Sequence, residues 1–178
     1  EATSTTDGSL QTDGGLSVVK DCVFGNDVKL LSDATVIHFG ADSEVTLTHV
    51  ADKGLTLKHT ATGDDKPIIL TLATGETDIA ADDVIGTINF QAPDEGTGTD
   101  AILVAAGIEA VSEGDFSSSN NATKLSFKTA ASEAASEKMS LSSTGTLKLK
   151  ETSAAVADTA AFGQICVKNS TPCELYFT

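Results

Sequence analysis

Residues 41–60 are one ten-residue unit written twice, ADSEVTLTHV followed directly by ADKGLTLKHT. Each copy opens on Ala-Asp, a pair typical of turns, and continues as a stretch in which apolar and polar residues alternate. Because successive side chains of a strand point to opposite faces, this alternation predicts two short strands, each with one apolar face. The two apolar faces consist of Val45, Leu47 and His49 in the first copy and of Leu55, Leu57 and His59 in the second.

Strands this short cannot fold alone, because about five residues span only roughly 17 Å and two aliphatic side chains do not offset the entropy lost on ordering. Leaving Val45, Leu47, Leu55 and Leu57 in water would cost roughly 6 to 12 kcal/mol, which rivals the whole stability of a domain. The repeat must therefore stack, either as a single-chain solenoid or against the same strands of sister chains. So brief a run would make a poorly capped solenoid, and we therefore predict a parallel homotrimer with these four residues as its core.

The composition supports oligomerisation and excludes several partners. Hydrophobic residues make up 40% of the 178 residues, but aromatics only 4%, with no Trp, so one chain has little large apolar surface for a compact core. The 26 acidic residues against 11 Lys and Arg give a net charge of -15. Nucleic acid is therefore not an expected partner. Membrane insertion is not expected either, since no apolar run reaches the ~20 residues that cross a bilayer.

Turn signals divide the chain into four segments. We expect a flexible arm at 1–15, a repetitive β-shaft at 16–62, a β-rich module at 63–150, and a linker with a terminal β-hairpin at 151–178. Strands are expected in the shaft at 16–19, 27–31, 35–39, 45–49 and 55–59, and in the module at 68–72, 84–91, 102–111, 125–128, 139–141 and 147–149. Residues 130–138 have helix-forming composition, but a loop is favoured over so short a window. The predicted fold class is all-β and elongated.

Two stretches of the module, DVIGTINFQAPDEGTGTDAILVAAGIEAVSEG and NATKLSFKTAASEAASEKMSLSSTGTLKL, resemble a module of the tail fibres and tailspikes of tailed bacteriophages, particularly marine ones. The final FGQICVKNSTPCELYFT is similar to the terminal hairpin of that group, although Cys166 stands where relatives commonly have Trp and Cys173 where they have a polar residue. The upstream SDATVIHFGADSEVTLTHVADKGL resembles the short shaft repeats of similar fibre proteins. Together the matches cover about Asp33 to Thr178, and they carry no catalytic motif.

The resemblance implies a virion structural protein, extracellular and homotrimeric, that attaches to the host or spaces a receptor-binding tip. Its implied partners are other virion proteins and a host surface receptor or polysaccharide. A non-viral surface filament or adhesin is the alternative, and a carbohydrate-cleaving spike is a third class. The sequence contains no G-x-S-x-G, H-E-x-x-H or Gly-rich phosphate loop, so we expect neither enzymatic activity nor a cofactor.

Few residues suggest site chemistry. Around a threefold axis His49 and His59 would each form a ring of three imidazoles able to hold a transition metal or an anion, but we favour the simpler interpretation that each histidine ends its strand at the shaft surface. Acidic pairs at Asp64-Asp65, at Asp82-Asp83 and at Asp94-Glu95 with Asp100 could supply calcium ligands, but they lack the loop spacing of a known site and read better as solvated loops.

Cys166 and Cys173 flank VKNSTP, and a hairpin with a six-residue loop would place them opposite one another at disulfide distance. A tighter turn would instead set Cys166 opposite Leu175 and leave both thiols free. We predict the disulfide, with Cys22 unpaired.

Overall fold

A computed structural model describes residues 10, 14–91, 102–152, 165–168 and 174–177. The chain divides into two compact units, Glu1–Ile69 and Leu70–Thr178. The described residues contain eleven β-strands and no α-helix, so the predicted all-β class is confirmed. In this part of the chain no helix is long and apolar enough to span a bilayer.

The first unit contains a three-stranded antiparallel sheet of β1 (Val36–Phe39), β2 (Val45–Val50) and β3 (Gly54–His59), in that order. Both copies of the repeat therefore form the predicted strands. The β1–β2 turn is closed by a hydrogen bond from Ser43 N–H to the carbonyl of Gly40, at 3.1 Å, and the β2–β3 turn by one from Lys53 N–H to the carbonyl of Val50, at 3.0 Å. The two turns differ, because positive φ angles fall at Gly40 and Ser43 in the first and at Asp52 and Gly54 in the second.

Three predicted strands are wrong. Residues 16–19, 27–31 and 68–72 are not in strands, and their large apolar side chains are exposed, with Val19 at 96% and Ile69 at 73%. Alternation predicts which side chains share a face, but a strand also requires a hydrogen-bonded neighbour. None of these segments has a strand partner within the part of the chain that the structure describes.

The second unit contains a five-stranded antiparallel meander of β4 (Val84–Gln91), β5 (Val104–Ser112), β6 (Thr123–Thr129), β7 (Ser136–Leu141) and β8 (Leu147–Leu149). The register shifts between Val84 and Gly86, between Phe90 and Gln91, and between Phe127 and Lys128. Residues 130–135 form the connection between β6 and β7, so the preference for a loop over a helix is confirmed there.

The five strands sort their side chains into one apolar and one polar face. Cross-strand pairs such as Ile88↔Ile108, Ile108↔Phe127 and Phe127↔Met139 place the apolar set on a single side. We call this set the module face; it consists of Ile88, Phe90, Ile108, Leu125, Phe127, Met139, Leu141, Leu147 and Leu149. The other side carries serines, lysines and glutamates.

A smaller sheet in the same unit contains β9 (Glu151–Thr152), β10 (Ile165–Lys168) and β11 (Glu174–Phe177), in the order β11-β10-β9. β10 and β11 are antiparallel, whereas β9 and β10 are parallel.

Candidate functional site

The most distinctive feature of the first unit is the apolar side of its sheet. Leu47 lies directly across from Leu57, Val45 from His59, and His49 from Leu55. The register thus brings all four residues predicted for the trimer core onto one side of one sheet. Their assignment to an interchain core stays a prediction.

β1 adds two residues to this side that the sequence reasoning did not include. Ile37 pairs with Leu47, and Phe39 pairs with Val45. The signal was present in the period-two pattern of VIHF, but which of its two faces joins the repeat strands depends on the register. We call the set Ile37, Phe39, Val45, Leu47, Leu55 and Leu57 the shaft face.

The shaft face is largely open to solvent in the single chain. Leu55 is 70% exposed, Phe39 48% and Ile37 41%, while Val45 and Leu47 are half-buried. On the opposite side Thr46, flanked in the sheet by His38 and Lys58, is buried at 7%. The sheet therefore buries a threonine and exposes its aliphatic residues, the reverse of the usual distribution.

His49 and His59 lie on the same side of the sheet as the shaft face, at opposite ends of it. His49 faces Leu55 and His59 faces Val45, so they are four residues apart along the strand direction, or roughly 13 Å. His59 Nδ1 accepts a hydrogen bond from the N–H of Ala61, at 3.1 Å. Among the described residues no three His, Cys, Asp or Glu side chains group to hold a metal within one chain. Each predicted ring of three imidazoles would take one histidine from each of three chains, and both rings stay a prediction.

The predicted disulfide partly lies outside the described residues, because Cys173 is not among them. The β10–β11 register pairs Cys166 with Tyr176 and Val167 with Leu175. The geometric reason for the bridge, that Cys166 faces Cys173, therefore gains no support, and the bridge stays a prediction. Cys22 is a free, exposed thiol.

The acidic pairs considered as calcium ligands serve local turns where the structure describes them. Asp83 accepts a hydrogen bond from Ala80 N–H, at 2.6 Å, and its own N–H donates to Ser112 Oγ, at 3.0 Å. Asp64 accepts from the N–H of Asp65, at 3.1 Å. Asp94, Glu95 and Asp100 lie outside the described residues.

On the polar side of the five-stranded sheet, two buried serines lie beneath two ion pairs. Ser126 and Ser140 are directly opposed and each is only 1% exposed. Lys128 Nζ lies 2.5 Å from Glu109 Oε1, and Lys124 Nζ lies 3.0 Å from Glu137 Oε2. Glu109 and Glu137 thus each have an ammonium partner.

Glu137 is the most connected of these carboxylates. It accepts a hydrogen bond from Ser140 Oγ, at 2.7 Å, besides its pair with Lys124. Burial acts to raise the pKa of Glu137, but the hydrogen bonds from Ser140, Lys124 and Ser126 outweigh it, and the pKa lies below its ordinary value of 4.5. The group is therefore held ionised, as suits a structural ion pair.

Comparison with protein families, with curated proteins and with solved structures finds no match to this chain. The class that the fold defines is an all-β protein in which, among the described residues, two separate sheets each leave an apolar side largely exposed.

Proposed function

We propose that this chain is a structural subunit of an extracellular fibre, a homotrimeric tail-fibre or tailspike segment of a virion that attaches to the host or spaces a receptor-binding tip. The observation that carries the proposal is the uncovered shaft face, because the repeat strands place their aliphatic residues on one side and nothing in the first unit covers it among the described residues.

Burial of the shaft face between chains supplies the stability that the single sheet lacks. Each Val or Leu removed from water contributes about 1.5 to 3 kcal/mol, and six large apolar residues lie side by side on this face. A three-stranded sheet is at the lower limit of independent stability unless its apolar side packs on something. Three copies around one axis would cover one another in this way.

The charge distribution supports the same assembly. The opposite side of the sheet presents His38, Thr48, Thr56 and Lys58, which suit contact with water, with Val36 as its exposed apolar residue and Thr46 buried between His38 and Lys58. The shaft face carries no carboxylate, so self-association through it does not bring the acidic side chains of a chain with net charge -15 into direct contact. The same charge keeps finished fibres apart in solution.

The proposed role is attachment and support, with no catalysis and no cofactor. It draws on the resemblance to phage fibres and on the ion-paired state of Glu109 and Glu137, which leaves neither carboxylate placed as a free general acid. The proposed partners are other virion proteins and a receptor or polysaccharide on the host surface.

Immunogold electron microscopy on the source material tests this function. Antibodies against the purified chain should label fibres that radiate from the tail or capsid of a virus particle. Label confined to filaments on the surface of cells, in particle-free material, would overturn the virion assignment in favour of a cellular adhesin.

A further inference from the structure

The module face is a second apolar surface that the sequence reasoning did not assign to any contact. We propose that it is an independent self-association surface, covered by the module face of another copy of this chain. The proposal rests on the proposed function in that it takes the chain to be an assembling subunit, but it uses a different sheet in a different unit.

The exposure of the module face is large for a protein that acts alone. Phe90 is 56% exposed, Leu147 59%, Ile88 46%, Leu141 44% and Leu125 41%. These five residues together present on the order of 500 Å² of contiguous apolar surface, at the upper end of the largest patch of an ordinary monomer. Ile108, Phe127, Met139 and Leu149 are only half-buried and extend it towards the ~800 Å² that each partner of a stable interface contributes.

Apart from Ser112, which shares the side of Ile108 and Ala110 and donates a hydrogen bond to the carbonyl of Ala80, the deeply buried residues of the sheet lie on its other side. On that side Val111 is 7% exposed, and Ser126 and Ser140 are 1% exposed beneath the ion pairs of Lys124 and Lys128. The side chains of this polar side already have hydrogen-bond and charge partners. Packing another chain on it, instead of on the module face, would remove these ion pairs from water at a cost in free energy. Only the module face remains to be covered.

A hollow in the module face has the size and lining of a receptor for one apolar side chain. It arises where the small residues Gly86 and Ala110 pair across β4 and β5. Ile88, Ile108 and Leu125 border it, and Leu72 lies over Gly86, its Cβ 3.5 Å from where a Gly86 Cβ would stand. The space is about 160 Å³, and an apolar cavity of about 150 Å³ is known to accept a benzene-sized molecule.

The occupant that fits is another module face. The hollow and the projecting side chains of Phe90, Leu141 and Leu147 are on the same side of the same sheet, so each copy can provide what a neighbouring copy accepts. The face carries no charged residue, whereas the chain as a whole carries -15. A basic partner would be drawn to the acidic surfaces elsewhere, but a neutral apolar face selects an equally neutral apolar face.

Photo-crosslinking of the full chain tests the proposal with two matched pairs of positions. Benzoylphenylalanine replaces Phe90 on the module face or its neighbour Asn89 on the opposite side of β4. A second pair, Phe39 on the shaft face and His38 on the opposite side of β1, reports the assembly that belongs to the proposed function. Each variant is first shown by light scattering and circular dichroism to keep the mass and fold of the unmodified protein. If the Phe90 variant does not, the probe is placed at Leu147 instead.

After irradiation, adducts are separated on a denaturing gel. We expect the Phe90 probe to give adducts between chains well above those of the Asn89 probe. Adducts no more frequent than with Asn89, or adducts confined to one chain, would overturn the proposal. Chain-to-chain adducts at Phe39 without any at Phe90 would leave the proposed fibre assembly standing and exclude the module face as a second contact. Adducts at Phe90 without any at Phe39 would support the module-face contact and count against the proposed fibre assembly.

Discussion

Single residues fix the geometry that makes the two open faces. Gly40 is needed because the β1–β2 turn requires a φ of +86° there, a value that L side chains rarely adopt. Glu137 is needed because it ties β7 to β6 through Lys124 while accepting a hydrogen bond from Ser140. Both act on the polar or turn side of a sheet, so their effects on folding can be measured without altering either apolar face.

Gly40→Ala should destabilise the three-stranded sheet by about 1 to 2 kcal/mol, the cost of a left-handed conformation for a residue with a Cβ. The new Cβ would also displace the Glu44 carboxylate, which lies over Gly40. Denaturant unfolding measures the change. Gly63→Ala, in open space and without a positive φ, is the matched control and should be neutral or slightly stabilising. Equal stability of the Gly40 and Gly63 variants would contradict the role of the turn.

Glu137→Gln should lower the midpoint of thermal unfolding near neutral pH but not in acid. The pKa of Glu137 is lowered in the folded protein, so its ionised form contributes stability above its ordinary value of 4.5. That contribution is lost as the pH falls below 4.5 and the carboxyl is protonated. Melting curves of wild type and variant should therefore converge in acid. Glu76→Gln, in the loop before β4, is the control, and a difference for Glu137→Gln that persisted unchanged at low pH would contradict the assignment.

At the scale of elements, the sequence predicted the strands that have local partners. The repeat strands and the short β8 were found because short turns bring each next to its neighbour, so alternation alone located them. β4 was found as well, and it pairs with the next strand along the chain, β5. Residues 16–19, 27–31 and 68–72 have the same alternation without a strand partner in the described chain, and the prediction was wrong.

The candidate site could be predicted only in part, because the sequence of one strand shows which of its residues share a face but does not show which strand lies beside it or in what register. The faces of β2 and β3 follow from their own sequences, but the membership of Ile37 and Phe39 and the whole module face depend on the register between strands. Period two shows that Leu125 and Phe127 share a side, yet not that Ile108 and Met139 lie beside Phe127. The hollow at Gly86 and Ala110 is likewise a property of the pairing.

The terminal hairpin provides a prediction at this scale. If Cys166 and Cys173 form a disulfide, thiol counting on the denatured, unreduced protein should find one free cysteine per chain, Cys22. Because the register sets Cys166 across from Tyr176, the bridge is not favoured by strand pairing. Three free thiols would end the disulfide hypothesis, and recovery of all three after reduction is the control for the assay.

For the molecule as a whole, we expect a protein that binds and does not catalyse. Purified protein incubated with host surface polysaccharide should release no oligosaccharide, as followed by solution viscosity and chromatography. Glu109 and Glu137 are the carboxylates to test, because they line the polar concave side of the five-stranded sheet. Reproducible release that Glu109→Gln or Glu137→Gln abolishes would establish a carbohydrate-cleaving spike instead.

The assembly itself should depend on which side of the three-stranded sheet is altered. Leu47→Asp would place a carboxylate from every chain in the centre of the shaft face and should prevent association through that face, because burying unpaired charges costs several kcal/mol each. Thr56→Asp, on the opposite and exposed side of β3, should assemble normally. Thr56 is a better control than Thr46, which is itself buried. Loss of assembly in both variants would count against the shaft face as the contact.

The mass of the unmodified protein in solution tests the proposed homotrimer most directly. It is measured by multi-angle light scattering after size exclusion, with circular dichroism on the same fraction. We expect a β-rich particle of three times the 18.2 kDa of one chain. A β-rich, cooperatively unfolding particle of one chain mass would contradict it, because both sheets would then be stable with their apolar faces in water.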